Sequence, residues 1–385
     1  MRFELNEELA LLQQTTRDFA NAELKAAARR MDETETFEID VFKKMAGMGL
    51  TGLTIPERFG GSGFYDQGMP NQAACVALEE VNRVCASTGV TLSVHMSLFS
   101  SLLTKWGNEE QHQRVLPKVA SGEWLGAYCL SEAGSGTDAG SLVCEARKDG
   151  NEYVLNGSKL WITSAPYADV FIVFARTDKA QKTRGISAFI VEGSRKGITI
   201  GKKEKKMGIR GSATSEVLFE DCRIPASNLI GEENLGFKIA LDTLDGGRNG
   251  IAAQAVGIGR ACLEDATEYA KTREQFGQPI ANFQAVQWML ADMTMKLDAA
   301  RLLMYRAAWL RDNGKPCTTE SAMAKLFASE AANKAAKDAV QIFGGNGYSK
   351  EYNVERYFRD ARITEIYEGT SQVQRIVIAR SLLGD

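Results

Sequence analysis

The chain has 385 residues, of which 44% are hydrophobic and 25% are charged, and it contains only 7 proline residues. A chain of this length can form more than one domain and bury a large cofactor, and its composition excludes a disordered or fibrous protein. The net charge of −3 argues against binding to nucleic acid, which requires a clustered positive surface. The one basic run, residues 202–206, is predicted to be a solvated turn, with contact to a phosphate group or a partner as the alternative.

The cysteine and histidine residues give no sign of a metal site or a disulfide framework. The seven cysteines form no C-x-x-C pair, which is typical of free thiols in a reducing compartment, and His95 and His112 are the only histidines. The N-terminal sequence predicts an amphipathic helix rather than a signal or transit peptide. No apolar run reaches the roughly 20 residues that span a bilayer. We therefore expect a cytoplasmic protein, or the mature form of an organellar one, without an integral membrane segment.

Hydrophobic periodicity changes twice along the chain. It is helical at first, alternating in the middle and helical again at the end. These changes predict three domains, residues 1–120, 121–232 and 233–385. The predicted fold class is α+β, with an all-α N-terminal domain, a middle antiparallel β-sandwich or barrel, and a C-terminal helical bundle.

Individual segments support this division. The middle domain contains short β-branched and aromatic segments such as DVFIVFA and SAFIVEG, and turn signals such as Asp149-Gly150 separate them. From Val286 to Met304, apolar residues recur at steps of three and four, as on the buried face of a helix. A second long helix is predicted from about Glu320 to Phe343, ending where Gly344 can adopt a left-handed cap.

A candidate general base lies near the C-terminus, where Glu368 stands between the aromatic Tyr367 and the flexible Gly369. A carboxylate in a desolvated cleft has a raised pKa and can remove a proton near neutral pH. Considered alone, a Glu in a loop is more simply a surface residue. The interpretation therefore depends on the other motifs.

Two motifs at the start of the middle domain could bind a flat cofactor. In AYCLSEAGSGTDAGS, residues 127–141, glycines allow a ligand to approach the backbone and hydroxyl groups offer hydrogen bonds. In SKLWITSA, Trp161 and Thr163 are predicted to face the same side of a strand, where an indole could stack on a ring system. Packing of Trp161 in the core is an equal alternative. Neither motif fits the G-x-G-x-x-G fingerprint, so a Rossmann site is not predicted.

Three further motifs are weak when taken singly. LDGGRNG places Asp245 and Arg248 at helical i, i+3 spacing, for which an ion pair is the default interpretation. KTREQFGQPIANFQ carries Arg273 and Gln284, and AVQIFGGNGY carries a pair of glycines. An Arg close to exposed backbone amides suits a pyrophosphate.

Taken in order, the motifs resemble those of the acyl-CoA dehydrogenase family along essentially the whole chain. The matching segments are YCLSEAGSGTD, KLWIT, KMGIRGSATSEVLFEDCRIP, KTREQFGQPIANFQ, QIFGGNGY and IYEGTSQ, and the segments ASTGVTLSVHMSL and DGGR are most similar to those of short-chain, butyryl-type members. The resemblance implies FAD-dependent α,β-dehydrogenation of a short-chain acyl-CoA to the trans-2-enoyl-CoA. It also implies an electron-transferring flavoprotein as partner, a four-helix bundle as the C-terminal domain, and a homotetramer.

The resemblance assigns roles to individual positions, with Glu368 as the catalytic base and no metal. FAD contacts are implied for Tyr128, Leu130, Ser131, Gly136, Thr137, Trp161, Ile162, Thr163, Arg273, Gln284, Gln341, Ile342, Phe343, Gly344, Gly345, Thr370, Ser371 and Gln372. Contacts to the acyl-CoA are implied for Thr137, Asp245, Gly246, Gly247, Arg248 and Gly369.

Other activities and substrates stay open alongside this one. Some family members carry the base immediately before the Arg of the DGGR segment, but this chain has Gly247 there. Gly89 occupies the place where glutaryl-type relatives have an Arg for the distal carboxylate, so a dicarboxylyl substrate is not expected. Branched, aromatic and alicyclic short acyl groups are alternatives, as are an acyl-CoA oxidase and a catalytically silent scaffold that binds flavin or CoA.

Overall fold

The N-terminal part of the chain is helical. The structure is a computed structural model that describes residues 4–384. Asn6 and Asn108 start two of the helices, each accepting a hydrogen bond from a backbone amide of the first turn. The α-helices are α1 Glu7–Phe19, α2 Lys25–Thr34, α3 Ile39–Gly47, α4 Pro70–Val84, α5 Ala86–Ser93, α6 Ser101–Trp106 and α7 Glu109–Ala120, and π-helical turns occupy Ala20–Leu24 and Val94–Ser100.

The middle part is a β-rich layer. Its strands are β1 Gly126–Cys129, β2 Glu145–Asp149, β3 Glu152–Thr163, β4 Val170–Arg176, β5 Ile186–Glu192, β6 Ile198–Lys203, β7 Thr214–Pro225 and β8 Leu229–Ile230. The order along the sheet is β6-β7-β3-β2-β4-β5-β8, and β1 pairs with β4. Gly150, with φ +62°, makes the predicted turn between β2 and β3.

Most neighbouring strands are antiparallel, as predicted, but β1 runs parallel to β4, and β2 meets β4 at one parallel position. Parallel pairing requires a long connection rather than a hairpin, and the chain between β1 and β4 provides one. Alternate residues of β4 face different neighbours. Ile172 and Phe174 pack in the core shared with the helices, whereas Phe171 and Val173 pack inside the β layer. The sheet is therefore covered on both faces.

The C-terminal part is again helical. It contains α8 Gly236–Thr272, a two-residue hairpin of β9 Glu274–Gln275 and β10 Gln278–Pro279, α9 Gln284–Asp312, α10 Thr318–Phe343, α11 Val354–Arg362 and α12 Ser371–Leu383. The predicted apolar face of α9 is confirmed, since Met293, Leu297 and Met304 are buried. The hairpin was not predicted, because two residues per strand are too few to show alternation.

The end of α10 differs in detail from its prediction. Gly344 does have a positive φ of +58°, but its ψ of −135° lies outside the left-handed helical region. The expected left-handed cap is therefore wrong. The chain instead turns directly into a 3-10 turn over Gly344–Tyr348, and only glycine adopts this backbone conformation without strain.

A buried ionic cluster joins the first and last helical parts. Glu79 and Glu80 of α4 are fully buried. Arg260 of α8 pairs with both at 2.6 and 2.8 Å, Arg301 of α9 pairs with Glu79 at 3.0 Å, and Arg17 of α1 pairs with Glu80 at 2.9 Å. Burial of these two carboxylates is compensated because each is paired with guanidinium groups.

The basic run is only partly solvated, so the prediction of a solvated turn is wrong for two of its lysines. Lys203 donates to the carbonyl of Glu35, and Lys206 donates to the carbonyl of Ser212 at 2.7 Å. Glu35 follows α2, and carbonyl groups at a helix end need donors from elsewhere. The run therefore joins the β layer to α2.

The cysteines are all buried and unpaired. Among residues 4–384, no group of three or more His, Cys, Asp or Glu side chains is placed to hold a metal ion, and no helix has the length and apolar character of a membrane span. Both ring nitrogens of His95 form hydrogen bonds with the backbone. Nε2 pairs with the carbonyl of Val119 at 3.0 Å, and Nδ1 accepts from the amide of Gly126 at 3.1 Å.

Candidate active site

The segment between α11 and α12 has a strained backbone. Glu368 has φ +54° and Gly369 has φ +86°, and a positive φ is uncommon for a residue with a side chain. Thr370 then caps α12, since its hydroxyl accepts a hydrogen bond from the amide of Val373 at 3.3 Å. Strain of this kind persists only where the surrounding structure holds it.

The Glu368 carboxylate is buried at one oxygen and has no partner there. Its Oε2 atom is inaccessible to solvent and makes no hydrogen bond within the described chain. Burial raises the pKa of Glu368 to about 7, against the opposing positive charges of Lys325 and Arg248. A base with this pKa is suited to proton removal near neutral pH.

Gly247 on α8 faces this carboxylate. A Cβ atom at Gly247 would lie 2.5 Å from Oε2 of Glu368 and 2.8 Å from Cδ2 of Leu98. Leu98 belongs to the π-helical turn Val94–Ser100, and such turns are frequent at functional sites. The missing side chain at Gly247 therefore provides the room that the carboxylate occupies.

Two other residues of the same motif form the predicted ion pair, which is buried. Arg248 Nη1 donates to Asp245 Oδ1 at 2.7 Å, and the Thr318 hydroxyl donates to Asp245 Oδ2 at 2.6 Å. Arg248 Nε has no hydrogen-bond partner within the described residues. Gly246 is also buried and lies against Arg311. The structure thus brings the DGGR motif and the Glu368–Gly369 turn together.

The motif that begins on β1 starts beside the same carboxylate. Tyr128 is buried, and burial together with the negative charge of Glu368 raises the pKa of its hydroxyl. That hydroxyl has no partner in the described chain. Further along the motif, Leu130 and Ser131 accept hydrogen bonds from β3, whereas Gly136 and Thr137 are exposed.

Trp161 is on the surface rather than in the core. It has φ +61° at a register shift between β3 and β7, and 63% of it is exposed. Ile162 is buried on the opposite side, and Thr163 is half-buried. The alternative that Trp161 fills the core is wrong for this chain. Its indole presents an open flat face.

A second group of predicted cofactor residues lines a cavity of about 300 Å³ at the ends of α8 and α10. Arg273, Ile342, Phe343, Gly344 and Gly345 all contribute to its wall. The other predicted contacts lie outside this wall: Gln284 is exposed at the start of α9, Gln341 is exposed on α10, and Thr370, Ser371 and Gln372 form the start of α12.

Comparison with known proteins identifies the family. Family models match residues 6–123 as the acyl-CoA dehydrogenase N-terminal domain, residues 127–222 as the middle domain and residues 234–383 as the C-terminal domain. The chain belongs to the acyl-CoA dehydrogenase family. One relative, the mitochondrial short-chain specific acyl-CoA dehydrogenase of Rattus norvegicus, is 50% identical over 380 residues, which cover 99% of this chain and 91% of that protein.

Solved structures share the fold. Butyryl-CoA dehydrogenase from Megasphaera elsdenii superimposes with a TM-score of 0.97 at 44% identity, over 100% of both chains. A chain from the structure of the electron transferring flavoprotein of Acidaminococcus fermentans also has a TM-score of 0.97, at 46% identity over 100% of both chains. PigA with FAD and proline has a TM-score of 0.94 at 30% identity, over 99% of each chain.

This acyl-CoA dehydrogenase contains a buried ion pair that the sequence did not reveal. Lys159 of β3 is fully buried and donates to Glu132 Oε1 at 2.6 Å and to the carbonyl of Leu130 at 3.1 Å. The Glu132 carboxylate also accepts from the amides of Val143 at 2.6 Å and Cys144 at 3.0 Å. These bonds hold the glycine-rich segment against the strand of Trp161. The sequence signal that could have indicated this pair is Lys159 itself, a charged residue within the otherwise uncharged SKLWIT strand.

A second buried lysine was also not predicted from the sequence. Lys325 of α10 donates to the carbonyl of Gly369 at 2.7 Å, and Gln374 of α12 donates to the carbonyls of Glu368 and Gly369 at 3.1 and 2.9 Å. In the acyl-CoA dehydrogenase fold of this chain, two helices therefore support the turn that carries Glu368.

Proposed function

We propose that this acyl-CoA dehydrogenase oxidises short-chain acyl-CoA thioesters to trans-2-enoyl-CoA, with Glu368 as the general base and FAD as cofactor. Membership of the family establishes acyl-CoA dehydrogenation as the reaction class. The observation that carries the assignment of the base is the unpartnered, buried Oε2 atom of Glu368, which fills the space left open at Gly247.

The chemistry at Glu368 follows from its surroundings. The α-hydrogen of a thioester is weakly acidic, so its removal needs a base that is not weakened by hydration and stabilisation of the enolate that develops. In this proposal Glu368 takes this proton at its unpartnered Oε2 atom. FAD, when bound, supplies the acceptor for the β-hydride. Loss of the α-proton and the β-hydride leaves the double bond of the enoyl product.

The residues implied for FAD fit a flat, anionic dinucleotide. The exposed indole of Trp161 offers a face for a ring system. The cavity beside Arg273 combines a guanidinium with open glycine backbone at Gly344 and Gly345, a combination that suits phosphate oxygens. PigA, a structural neighbour, is described with FAD, and this supports the same cofactor here.

The absence of an Arg at position 89 supports a monocarboxylic acyl group, and the local packing leaves no room for one. A Cβ atom at Gly89 would lie 2.1 Å from Oδ1 of Asn82, whose amide nitrogen bonds the carbonyl of Leu78 at 2.8 Å. An Arg at this position would have to displace a buried amide. The named short-chain and butyryl-CoA dehydrogenases among the similar proteins support a short, unbranched acyl chain.

Turnover of matched acyl-CoA substrates tests the substrate class. We expect butyryl-CoA and valeryl-CoA to be good substrates and glutaryl-CoA, with the same carbon number as valeryl-CoA, to have a kcat/KM lower by roughly 100-fold or more, because a charged carboxylate buried without a partner costs about 3 kcal/mol or more. The measurement is the steady-state rate with an artificial electron acceptor. Equal kcat/KM values for glutaryl-CoA and valeryl-CoA would contradict the assignment.

We also propose an electron-transferring flavoprotein as electron acceptor, a homotetrameric assembly and a cytoplasmic location. The similarity to a chain from an electron transferring flavoprotein structure supports the first. Exposed apolar side chains on α9, including Trp288, Met295 and Trp309, support association with further copies. An oxidase would instead give one peroxide per turnover in air, which separates that alternative from a dehydrogenase.

Arg273→Ala is expected to weaken retention of FAD and assembly together. Loss of a charged hydrogen bond to a phosphate costs about 1.5–3 kcal/mol, roughly a 10–100-fold lower affinity. The measurements are flavin released on denaturation and molar mass by light scattering. Lys271→Ala, which removes another exposed positive charge from the end of α8, serves as the control and should retain FAD. Equal FAD content in both variants would rule out this contact.

A further inference from the structure

Lys325 is a buried charge that the reaction as described does not use. It lies on α10 with 0% of its surface exposed, and its ammonium donates to the carbonyl of Gly369 at 2.7 Å. In residues 4–384 this is its one hydrogen bond, and its nitrogen forms no salt bridge with a carboxylate within 4.0 Å. An ammonium has three donors, so two of them are unused in the chain that the structure describes.

Burying a charged lysine with one neutral hydrogen-bond partner has a high free-energy cost if its role is only to bind a carbonyl. Desolvation of an ammonium costs far more than one hydrogen bond to a carbonyl returns, and a neutral donor could bond the same oxygen. Burial lowers the pKa of Lys325 to about 8, while the negative charges of Glu368 and Glu365 act in the opposite direction. The position of the charge therefore requires a reason beyond packing.

The carbonyl that Lys325 binds belongs to the strained turn of the base. Glu368 and Gly369 both have positive φ, and Gln374 bonds both of their carbonyls. With Lys325, the Gly369 oxygen has a donor from α10 and another from α12. Both of its lone pairs are thereby used, and the peptide plane that follows the base is fixed.

The charged and titratable groups around Glu368 come from four elements. Arg248 of α8 and Lys325 of α10 are positive, while Tyr128 of β1 and Tyr367 of the turn itself present hydroxyl groups whose pKa burial raises. The Arg248 guanidinium is already paired with Asp245 at 2.7 Å. Lys325 is the positive group near Glu368 that has no carboxylate of its own within 4.0 Å in the described residues.

We propose that Lys325 is a positioning residue for Glu368, fixing the Gly369 carbonyl and placing beside the base an unneutralised positive charge that favours its carboxylate form. This inference rests on the proposed role of Glu368. Its consequence is a dependence of the reaction on pH. The positive charge of Lys325 lowers the pKa of Glu368, whereas burial raises it. Without that charge the pKa of Glu368 rises, and less of the carboxyl group is ionised at neutral pH.

Two substitutions separate the charge from the hydrogen bond. Lys325→Met removes both, whereas Lys325→Gln removes the charge and keeps a neutral hydrogen-bond donor at this position. The measurement is the rate of flavin bleaching by butyryl-CoA without oxygen, in single turnovers of the holoenzyme from pH 5.5 to 9, with FAD content measured on the same samples. Lys337→Met, at an exposed position of the same helix, is the matched control.

In both Lys325 variants we expect the acid limb of the profile to move upward by about one pH unit or more, since a nearby opposite charge shifts a carboxyl pKa by roughly 1–3 units. Because the pKa of Glu368 is about 7, a rise of one unit lowers the ionised fraction at pH 7 from about a half to about a tenth, so the rate there should fall about fivefold or more and recover as the pH rises. Lys325→Met should also have a lower rate at the alkaline plateau. Lys337→Met should keep the wild-type profile.

Unchanged acid limbs in both variants would overturn the proposal, as would an equal loss of rate at every pH, because a purely structural role predicts no shift. If Lys325→Met does not retain FAD, Lys325→Gln decides the question by itself. The Glu368→Gln variant distinguishes a wrong role for Lys325 from a wrong assignment of Glu368 as the base. A slow Glu368→Gln with unshifted Lys325 variants rejects only the role of Lys325, whereas rapid bleaching by Glu368→Gln rejects the base itself.

Discussion

Glu368→Gln is expected to retain FAD and bind butyryl-CoA but to leave the flavin oxidised. The amide has the size and shape of the carboxylate but cannot accept the α-proton. General-base catalysis contributes roughly 10²–10⁴-fold, and the loss should reach or exceed the upper end because Gly247, the alternative position for a base, has no side chain. The measurement is anaerobic mixing with butyryl-CoA, followed at the oxidised flavin band.

The comparison needs a variant that removes a carboxylate without touching the site. Glu351→Gln serves this purpose, because Glu351 is exposed on the segment between α10 and α11. The flavin of this variant should bleach at the wild-type rate. In Glu368→Gln, butyryl-CoA should perturb the flavin spectrum while the band persists. Bleaching within tenfold of the wild-type rate would show that another group removes the proton.

The order of helical and β segments was predictable because long stretches of the chain repeat one period. The apolar face of α9 and the turn at Gly150 are local features, and both are confirmed. The parallel pairing of β1 with β4 was not predictable, because it depends on a connection whose path no local pattern specifies. The domain limits at residues 120 and 232 stay a prediction, since buried pairs such as Arg260–Glu79 cross between the helical parts.

The candidate site was predictable where a residue belongs to a motif and not where it acts from another element. Glu368 and Gly247 stand in recognisable segments, and the structure places them in contact. Lys325 lies in an alanine-rich helix without a motif, and its contact with Gly369 joins positions separated by 44 in sequence. From sequence alone such a lysine would be predicted to be solvent-exposed, because lysine is almost never fully buried without a partner.

Gly247→Ala is expected to have the second large effect, because the missing side chain at Gly247 leaves room for the Glu368 carboxylate. A Cβ atom there would lie 2.5 Å from Oε2 and 3.2 Å from Cδ of Glu368, and 2.8 Å from Leu98. Protein atoms do not approach this closely, so Gly247→Ala must move the carboxylate or the leucine. The carboxylate belongs to a turn held by Lys325 and Gln374, so its side chain rather than the backbone has to rotate away.

Gly247→Ala should therefore lower the rate of flavin bleaching by butyryl-CoA about 100-fold, since a displacement of about 1 Å in a reacting group can cost that much. FAD content should stay at the wild-type level, because the predicted flavin residues lie on other segments. Gly47→Ala is the matched control: it also adds a methyl group to a helix, but a Cβ atom there meets nothing within 4 Å, so its rate should not change. A Gly247→Ala rate within threefold of wild type, with FAD bound, would mean that the carboxylate works from a position other than the one beside Gly247, and the assignment of Glu368 would then depend on Glu368→Gln alone.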